Sequence, residues 1–129
     1  MIECYDPLES PPPEKWLDTD EVKRLRLVED YHRRARIRLP NVRVHASLHV
    51  IVENQVAIGD EIPVGRTLAR LMNKGVDRHE ALHAIASVLS EHAFEIANGV
   101  RQHPDPNAAY YAALERLTVE SWRQNCKRG

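Results

Sequence analysis

The sequence predicts an all-α fold, a compact bundle of about five helices that follows an extended, proline-rich N-terminal segment. Three observations support this prediction. Apolar residues recur at helical spacing, helix-capping residues punctuate the chain, and no stretch alternates apolar and polar residues long enough to build a sheet. With 129 residues, the chain can bury the core of one domain, assigned to 18–129, without a metal ion or disulfides.

Proline dominates the first segment, residues 1–17. Pro7 is followed by the run Pro11 to Pro13, which indicates extended or polyproline backbone. A short proline run can be a docking ligand, but it is more often a simple tail. The first predicted helix then opens at Asp18, runs to about Arg38 and stops at Pro40. Its six arginines favour a solvated face over an RNA or acidic-partner patch, because no aromatic residues are interleaved with them.

Two further helices follow. Asn41 caps a second helix that extends to about Ala57, with Gly59 just after its end. Pro63 fits the first turn of a short third helix that closes at Gly75.

The last two predicted helices have clear start signals. Asp77 caps a fourth helix that ends at Asn98-Gly99. Val100–Pro106, with two prolines, is predicted to be a loop. Asn107 then caps a fifth helix that reaches roughly Trp122.

The second and fourth predicted helices carry the same histidine pattern. His45 and His49, like His79 and His83, are four residues apart and therefore share one helix edge. If the two helices pack antiparallel along their apolar stripes, His49 faces His83 and the four imidazoles converge on one seam. This arrangement favours a site for one or two metal ions over the alternative of polar core contacts or a surface histidine stripe.

Two carboxylates extend these ladders. In the antiparallel arrangement Glu53 approaches His79, and His45 approaches Ser87 or Glu91. Glu53 and Glu91 are therefore candidate ligands, partners that orient the imidazoles, or catalytic bases.

A further ligand comes from the first predicted helix. Glu29 and His32 are three residues apart, the spacing found in carboxylate-bridged dimetal bundles, so His32 is a candidate metal ligand. Imidazole nitrogens combined with carboxylate oxygens suit zinc, iron, nickel or manganese. We expect a divalent transition metal, with zinc or iron the first choices.

A second interpretation of the fourth helix is a zinc hydrolase. His79–His83 matches H-E-x-x-H, in which Glu80 would be the general base. Candidates for the third ligand are Glu91, Glu95 and Glu115. Against it, Glu80 is already explained as a helix-cap partner, Ala46 takes its place in the first histidine pair, and no strand is predicted that would align a peptide.

Composition limits the other functions. Lys and Arg total 18 and Asp and Glu total 19, so a formal net charge of −1 makes nucleic-acid binding unexpected. Cys4 and Cys126 form no spaced pair, and no signal peptide or long apolar segment is visible, so we expect a cytoplasmic protein without membrane association. His92 and His103 are predicted to be solvent histidines.

The histidine runs resemble a known family. Val44–His49 continuing through Glu53, and Arg78–His83 continuing through Glu91, are similar to the paired-histidine motif of the bacterial family catalogued as domain of unknown function DUF1841. Tyr31-His32 resembles a histidine-bearing position upstream of the first pair. The resemblance covers roughly residues 25–97 and implies a small helical bacterial protein with no established activity. Its candidate family positions are His45, His49, Glu53, His79, His83 and Glu91.

Two residues depart from that family pattern. Asn54 stands where the family tends to have a second acid, and Ser87 stands where an acid can follow the second histidine pair. The resemblance therefore implies a smaller, histidine-rich site here rather than a fully carboxylate-bridged dimetal centre.

The functional prediction depends on the coordination of the ion. A metal with an open position would make the protein a metal-dependent oxidoreductase or hydrolase, whereas a saturated site would make it a sensing, storing or structural module. An interaction adaptor that uses the proline segment and the arginine-rich helix is a third possibility. The sequence does not specify a substrate, and it is compatible with a homodimer.

Overall fold

The computed structural model describes residues 2–37, 41–99, 105 and 107–128, and over these ranges the chain forms helices and no strand. Seven helices follow one another: α1 Pro13–Asp18, α2 Glu21–Arg34, α3 Val42–Ile58, α4 Val64–Asn73, α5 Arg78–Ala97, α6 Ala108–Arg116 and α7 Val119–Arg128. The predicted all-α class is confirmed, with seven helices rather than about five.

The N-terminal part differs from the prediction. Pro13 opens helix α1, since proline is well tolerated in a first helical turn, and Trp16 in that helix is completely buried. Asp18 ends α1 instead of capping the next helix, the backbone is extended at Thr19, and Asp20 precedes α2. The segment 1–17, which was predicted to be extended, therefore ends in a helix, and the first predicted helix corresponds to α2.

Helix α2 also ends earlier than expected. Its last residue is Arg34, and Arg36 adopts a positive φ of 57°, which is incompatible with continuing the helix. The predicted boundary residues Arg38 and Pro40 lie outside the described residues, as do Val100–His103 within the predicted loop.

The last predicted helix is divided by an unpredicted break. The backbone is extended at Leu117, which ends α6, and α7 starts after Thr118. Thr118 and Ser121 cap each other, because the backbone N–H of each donates to the side-chain hydroxyl of the other, at 3.1 and 3.0 Å. This reciprocal capping replaces the single helix that was predicted to reach Trp122.

The helices that carry the histidine pairs start as predicted. The side chain of Asn41 accepts from the backbone N–H of Val44 at 3.1 Å, and that of Asp77 accepts from Glu80 at 2.8 Å. Both caps fix where α3 and α5 begin.

Helix α3 is at the centre of the fold and packs against α1, α2, α4 and α5. One face of α3 joins an apolar cluster built mainly from α4, α5 and α6, to which it contributes Val52. Its Ala46 and Val50 join a second cluster with Tyr5 and Trp16 of the N-terminal part. The histidine edge of α3 lies between these two clusters. None of the described helices combines the length and apolar character needed to cross a membrane.

Candidate metal centre

Five histidines from three helices meet in one place. His32 comes from α2, His45 and His49 come from α3, and His79 and His83 come from α5. Neighbouring rings have centroid separations of 4.3 Å for His79 and His83, 4.7 Å for His45 and His49, and 4.7 Å for His32 and His45. The two histidine ladders therefore share a gap, and α2 supplies a third wall.

The pairing across α3 and α5 follows the antiparallel register. The His49 and His83 rings face each other with centroids 5.0 Å apart, and His45 lies 4.9 Å from His83. One ring nitrogen from each of four histidines lies within 4.8 Å of the other three; these are His32, His45, His49 and His83. His79 lies beside this group, next to His83.

The nitrogens at the centre of the cluster lack protein partners. Among the described residues, the Nε2 atoms of all five histidines are buried and none has a hydrogen bond. Nδ1 of His32 lies 2.8 Å from the carbonyl oxygen of Val28, and because a carbonyl only accepts, Nδ1 carries the proton and Nε2 keeps its lone pair. Unpaired buried polar atoms cost stability, so their concentration in one place calls for a functional reason.

The electrostatics of the cluster favour neutral imidazoles. Burial, followed by the charges of neighbouring histidines, lowers the pKa of His49 to about 2 and those of His45 and His83 to about 4. Burial and the nearby His32 also lower the pKa of His79. Neutral imidazole is the form that can bind a metal ion, and the lowered pKa values favour that form at neutral pH.

A second buried polar group adjoins the histidines. Arg78 donates to both carboxylate oxygens of Glu53 at 2.8 Å, and the Tyr5 hydroxyl donates to Glu53 Oε2 at 2.5 Å. Arg78 also donates to the carbonyl oxygen of Pro7 at 3.0 Å, which ties the N-terminal segment to α5. Both carboxylate oxygens of Glu53 are therefore engaged, by Tyr5 and Arg78.

The histidine cluster and the Glu53 network are in contact through His49 and Tyr5. The Tyr5 hydroxyl oxygen lies 3.5 Å from Nδ1 of His49, at the outer limit of a hydrogen bond. Burial, reinforced by the Glu53 carboxylate, raises the pKa of Tyr5 well above its ordinary value, so the phenol keeps its proton. A chain of contacts thus leads from His49 through Tyr5 to Glu53 and Arg78.

The other candidate carboxylates lie outside the histidine cluster. Glu91 lines an open cleft that reaches His45 and His83. Glu80 accepts from Trp122 Nε1 at 3.2 Å and lies 3.5 Å from Nε of Arg123, so its carboxylate contacts α7. Of the remaining acids in the zinc-hydrolase interpretation, Glu95 lines a different cavity and Glu115 pairs with Arg66.

The comparison with protein families agrees with the motif. A family model described as Domain of unknown function (DUF1841) matches residues 21–116. The chain belongs to the DUF1841 family. The match includes all five clustered histidines together with Glu53 and Arg78, whereas Tyr5 precedes it. No curated protein and no solved structure matches the chain at a significant level.

Two residues near the site of this DUF1841 member were missed from the sequence. One of them is Arg78, which immediately precedes His79. A buried carboxylate such as that of Glu53 requires a cation nearby, and this requirement could have pointed to Arg78. Tyr5 gave no local signal, because its role depends on how the proline-rich segment folds back onto α3.

Asn54 and Ser87, the two residues that were expected to depart from the family pattern, lie outside the histidine cluster. Asn54 Oδ1 accepts from Trp16 Nε1 at 2.9 Å and from Arg24 Nη1 at 2.7 Å, so it holds α1 and α2 against α3. Ser87 is exposed in the wall of the cleft beside His83. Neither residue is a member of the histidine cluster.

Proposed function

We propose that this protein binds a divalent transition metal ion, zinc or iron, through the imidazoles of His32, His45, His49 and His83, with His79 as a neighbouring fifth donor. The observation that carries this proposal is the convergence of buried Nε2 atoms that have no partner among the described residues. A metal ion would satisfy several of these lone pairs at once.

The geometry is compatible with a modest closure around the ion. Zinc–nitrogen bonds of about 2.0–2.1 Å place tetrahedral ligand nitrogens roughly 3.4 Å apart, so nitrogens now up to 4.8 Å apart must approach by up to about 1.4 Å. His32 and His49 are each 1% exposed and firmly packed, whereas His45 and His83 are half-buried. We expect His45 and His83 to supply most of this movement.

The ligand set has a chemical consequence. All donors are neutral imidazoles, and the one buried carboxylate nearby, Glu53, is balanced by Arg78. An ion held there would keep its positive charge and act as a Lewis acid. We assign Glu53 and Tyr5 to orienting His49, since both oxygens of Glu53 are already engaged.

The zinc-hydrolase alternative receives less support from the geometry. It requires Glu80 to serve as a base beside the ion, but the carboxylate of Glu80 binds Trp122 and Arg123. We therefore do not assign Glu80 a catalytic role.

The test is elemental analysis of protein purified without a histidine tag and incubated separately with zinc and with ferrous iron. We expect about one tightly held ion per chain, and near-zero metal in the double variant His49→Ala/His83→Ala. His92→Ala is the matched control, because Nε2 of His92 is also buried and unpaired but its ring stacks on Tyr110, away from the cluster.

Two results would contradict the proposal: near-zero metal in the unaltered protein, or equal metal content in the protein and its double variant. Circular dichroism checks that each variant remains helical. If the double alanine variant loses its fold, the smaller change His49→Asn/His83→Asn repeats the measurement in a folded protein.

A further inference from the structure

An open cleft of about 560 Å³ leads to the histidine cluster. Its volume is in the range of sites that bind small molecules. The cleft follows one stripe of α5 and is completed by α3 and α7; its lining residues are His45, Leu48, His83, Ala86, Ser87, Ser90, Glu91, Phe94 and Trp122. Glu80 holds Trp122 in this wall through the indole N–H.

The inner end of the cleft is formed by the more accessible half of the cluster. His45 and His83 are half-buried and contribute to the lining, whereas His32 and His49 are buried behind them. An ion bound by all four would be covered by protein on the side of His32 and His49. A position added when the ion expands from four to five ligands would therefore face the cleft.

The lining has a definite chemical character. It includes the carboxylate of Glu91 and the hydroxyls of Ser87 and Ser90, and no lysine or arginine is among the described lining residues. Phe94, Leu48 and Trp122 supply apolar surface, and Phe94 is 68% exposed. From His83 to Glu91, α5 rises about 12 Å, so the acid lies at the outer part of the cleft.

We propose that the cleft admits a small organic molecule that binds the metal through a neutral donor atom and places a cationic or hydrogen-bond-donating group near Glu91. Its apolar middle part packs between Leu48, Phe94 and Trp122. This inference rests on the proposed metal site, and it makes the ion an accessible Lewis acid instead of a saturated structural one.

The test uses the protein loaded with Co²⁺, whose visible absorption reports ligand exchange. We titrate it with 1-(3-aminopropyl)imidazole, which pairs a donor nitrogen with a cationic tail. We expect a saturable spectral change in the unaltered protein and at least about tenfold weaker binding in Ser87→Trp, which fills the cleft from an exposed position. Ser90→Trp, one turn further out, is the second blocking variant.

Ala112→Trp is the matched control, since it adds the same side chain at an exposed position on α6 that does not line the cleft. Binding that is equal in both blocking variants and in this control would overturn the cleft as the route to the metal. A Co²⁺ spectrum that no concentration of the probe changes would overturn it as well, while leaving the metal site intact. Failure of the protein to bind Co²⁺ at all would instead refute the proposed function.

The role of Glu91 is tested by comparing two probes of equal shape, 1-(3-aminopropyl)imidazole and 1-butylimidazole. We expect the cationic probe to bind about threefold to fivefold more tightly, as for an exposed charge pair, and Glu91→Gln to abolish that preference. Glu61→Gln, at an exposed position outside the cleft, should retain it. An unchanged preference in Glu91→Gln would overturn the assignment of Glu91 to the cationic end.

Discussion

Two buried polar groups lie side by side in this protein, and they differ in how well they are satisfied. In the network of Tyr5, Glu53 and Arg78, both carboxylate oxygens have charged or hydroxyl donors within 2.8 Å. In the histidine cluster, by contrast, every Nε2 is buried without a partner among the described residues. The fold satisfies the polar atoms of the first group, whereas it leaves the Nε2 atoms of the second without partners among the described residues.

Both groups are built by the same two helices. His49 and Glu53 are one turn apart on α3, and Arg78 and His79 are adjacent on α5. The same packing of α3 on α5 therefore assembles an ion pair and an unpaired histidine cluster next to each other. Under the proposed function, the ion pair supports the fold and the cluster holds the metal ion, and the following variants separate the two roles.

The largest expected effect is on the ion pair. Arg78→Met leaves the Glu53 carboxylate buried without its cation, and we expect a loss of about 3–5 kcal/mol in the free energy of unfolding. The double variant Glu53→Gln/Arg78→Met removes both charges and should lose clearly less. Chemical denaturation measures both values, and a single variant as stable as the double one would show that the pair is not a structural unit.

The next largest effect is stabilisation by zinc, which distinguishes the histidine cluster from the network of Tyr5, Glu53 and Arg78. Zinc at a hundred times its dissociation constant should stabilise the protein by about 2.7 kcal/mol, because the ion binds only the folded chain. Thermal unfolding with and without zinc measures this. His49→Ala/His83→Ala should lose the zinc effect. Glu53→Gln/Arg78→Met should keep about half of it, because losing a partner that orients His49 weakens the site about tenfold, which leaves about 1.4 kcal/mol at the same zinc concentration. Equal zinc effects in all three proteins would place the ion elsewhere.

The link between the two groups is tested at Tyr5. Tyr5→Phe removes a hydrogen bond to a charged acceptor, so we expect a loss of about 2 kcal/mol in the free energy of unfolding. Tyr110→Phe is the control, since its hydroxyl donates to the neutral Gln55 at 2.7 Å, and it should lose only about 1 kcal/mol. A Tyr5→Phe protein as stable as the unaltered one would remove Tyr5 from the network.

The smallest effect concerns pH in the metal-free protein. The pKa of His49 falls from its ordinary 6.5 to about 2 on folding, so the unfolded chain binds more protons and stability decreases as the pH falls below 6.5. Protonation of His49 in the unfolded chain should by itself lower the free energy of unfolding by about 1 kcal/mol between about pH 7 and about pH 5.5. Thermal unfolding with a chelator present measures it. This pH-dependent loss of stability should be smaller in the variant His49→Asn. A stability that rises as the pH falls would contradict the claim that the buried histidines are neutral.

Local signals in the sequence were sufficient for the helices that build the site. Asn41 and Asp77 are caps that act within one turn, and the spacing of His45 with His49 and of His79 with His83 fixes their shared edges. The contact between His49 and His83 could also be predicted, because two helices with apolar stripes pack most simply in antiparallel register. These features depend on few residues close in sequence.

Long-range contacts explain what the sequence did not reveal. Helix α1, in the segment predicted to be extended, and the position of Tyr5 depend on how the N-terminal segment packs against α3, which no local pattern encodes. The pairing of Glu53 with Arg78 was not predicted for the same reason, since Arg78 comes from a distant helix. The reciprocal capping of Thr118 and Ser121 is a local sequence signal, but it lies within an apolar pattern that by itself predicts one continuous helix.

The most direct test of the central claim is X-ray absorption spectroscopy at the zinc edge of protein loaded with one equivalent of zinc. The histidine cluster predicts a first shell of nitrogen at about 2.0–2.1 Å, with the outer-shell scattering of about four imidazole rings. A first shell containing sulfur at about 2.3 Å, or oxygen and nitrogen without imidazole scattering, would contradict a metal site built from these histidines.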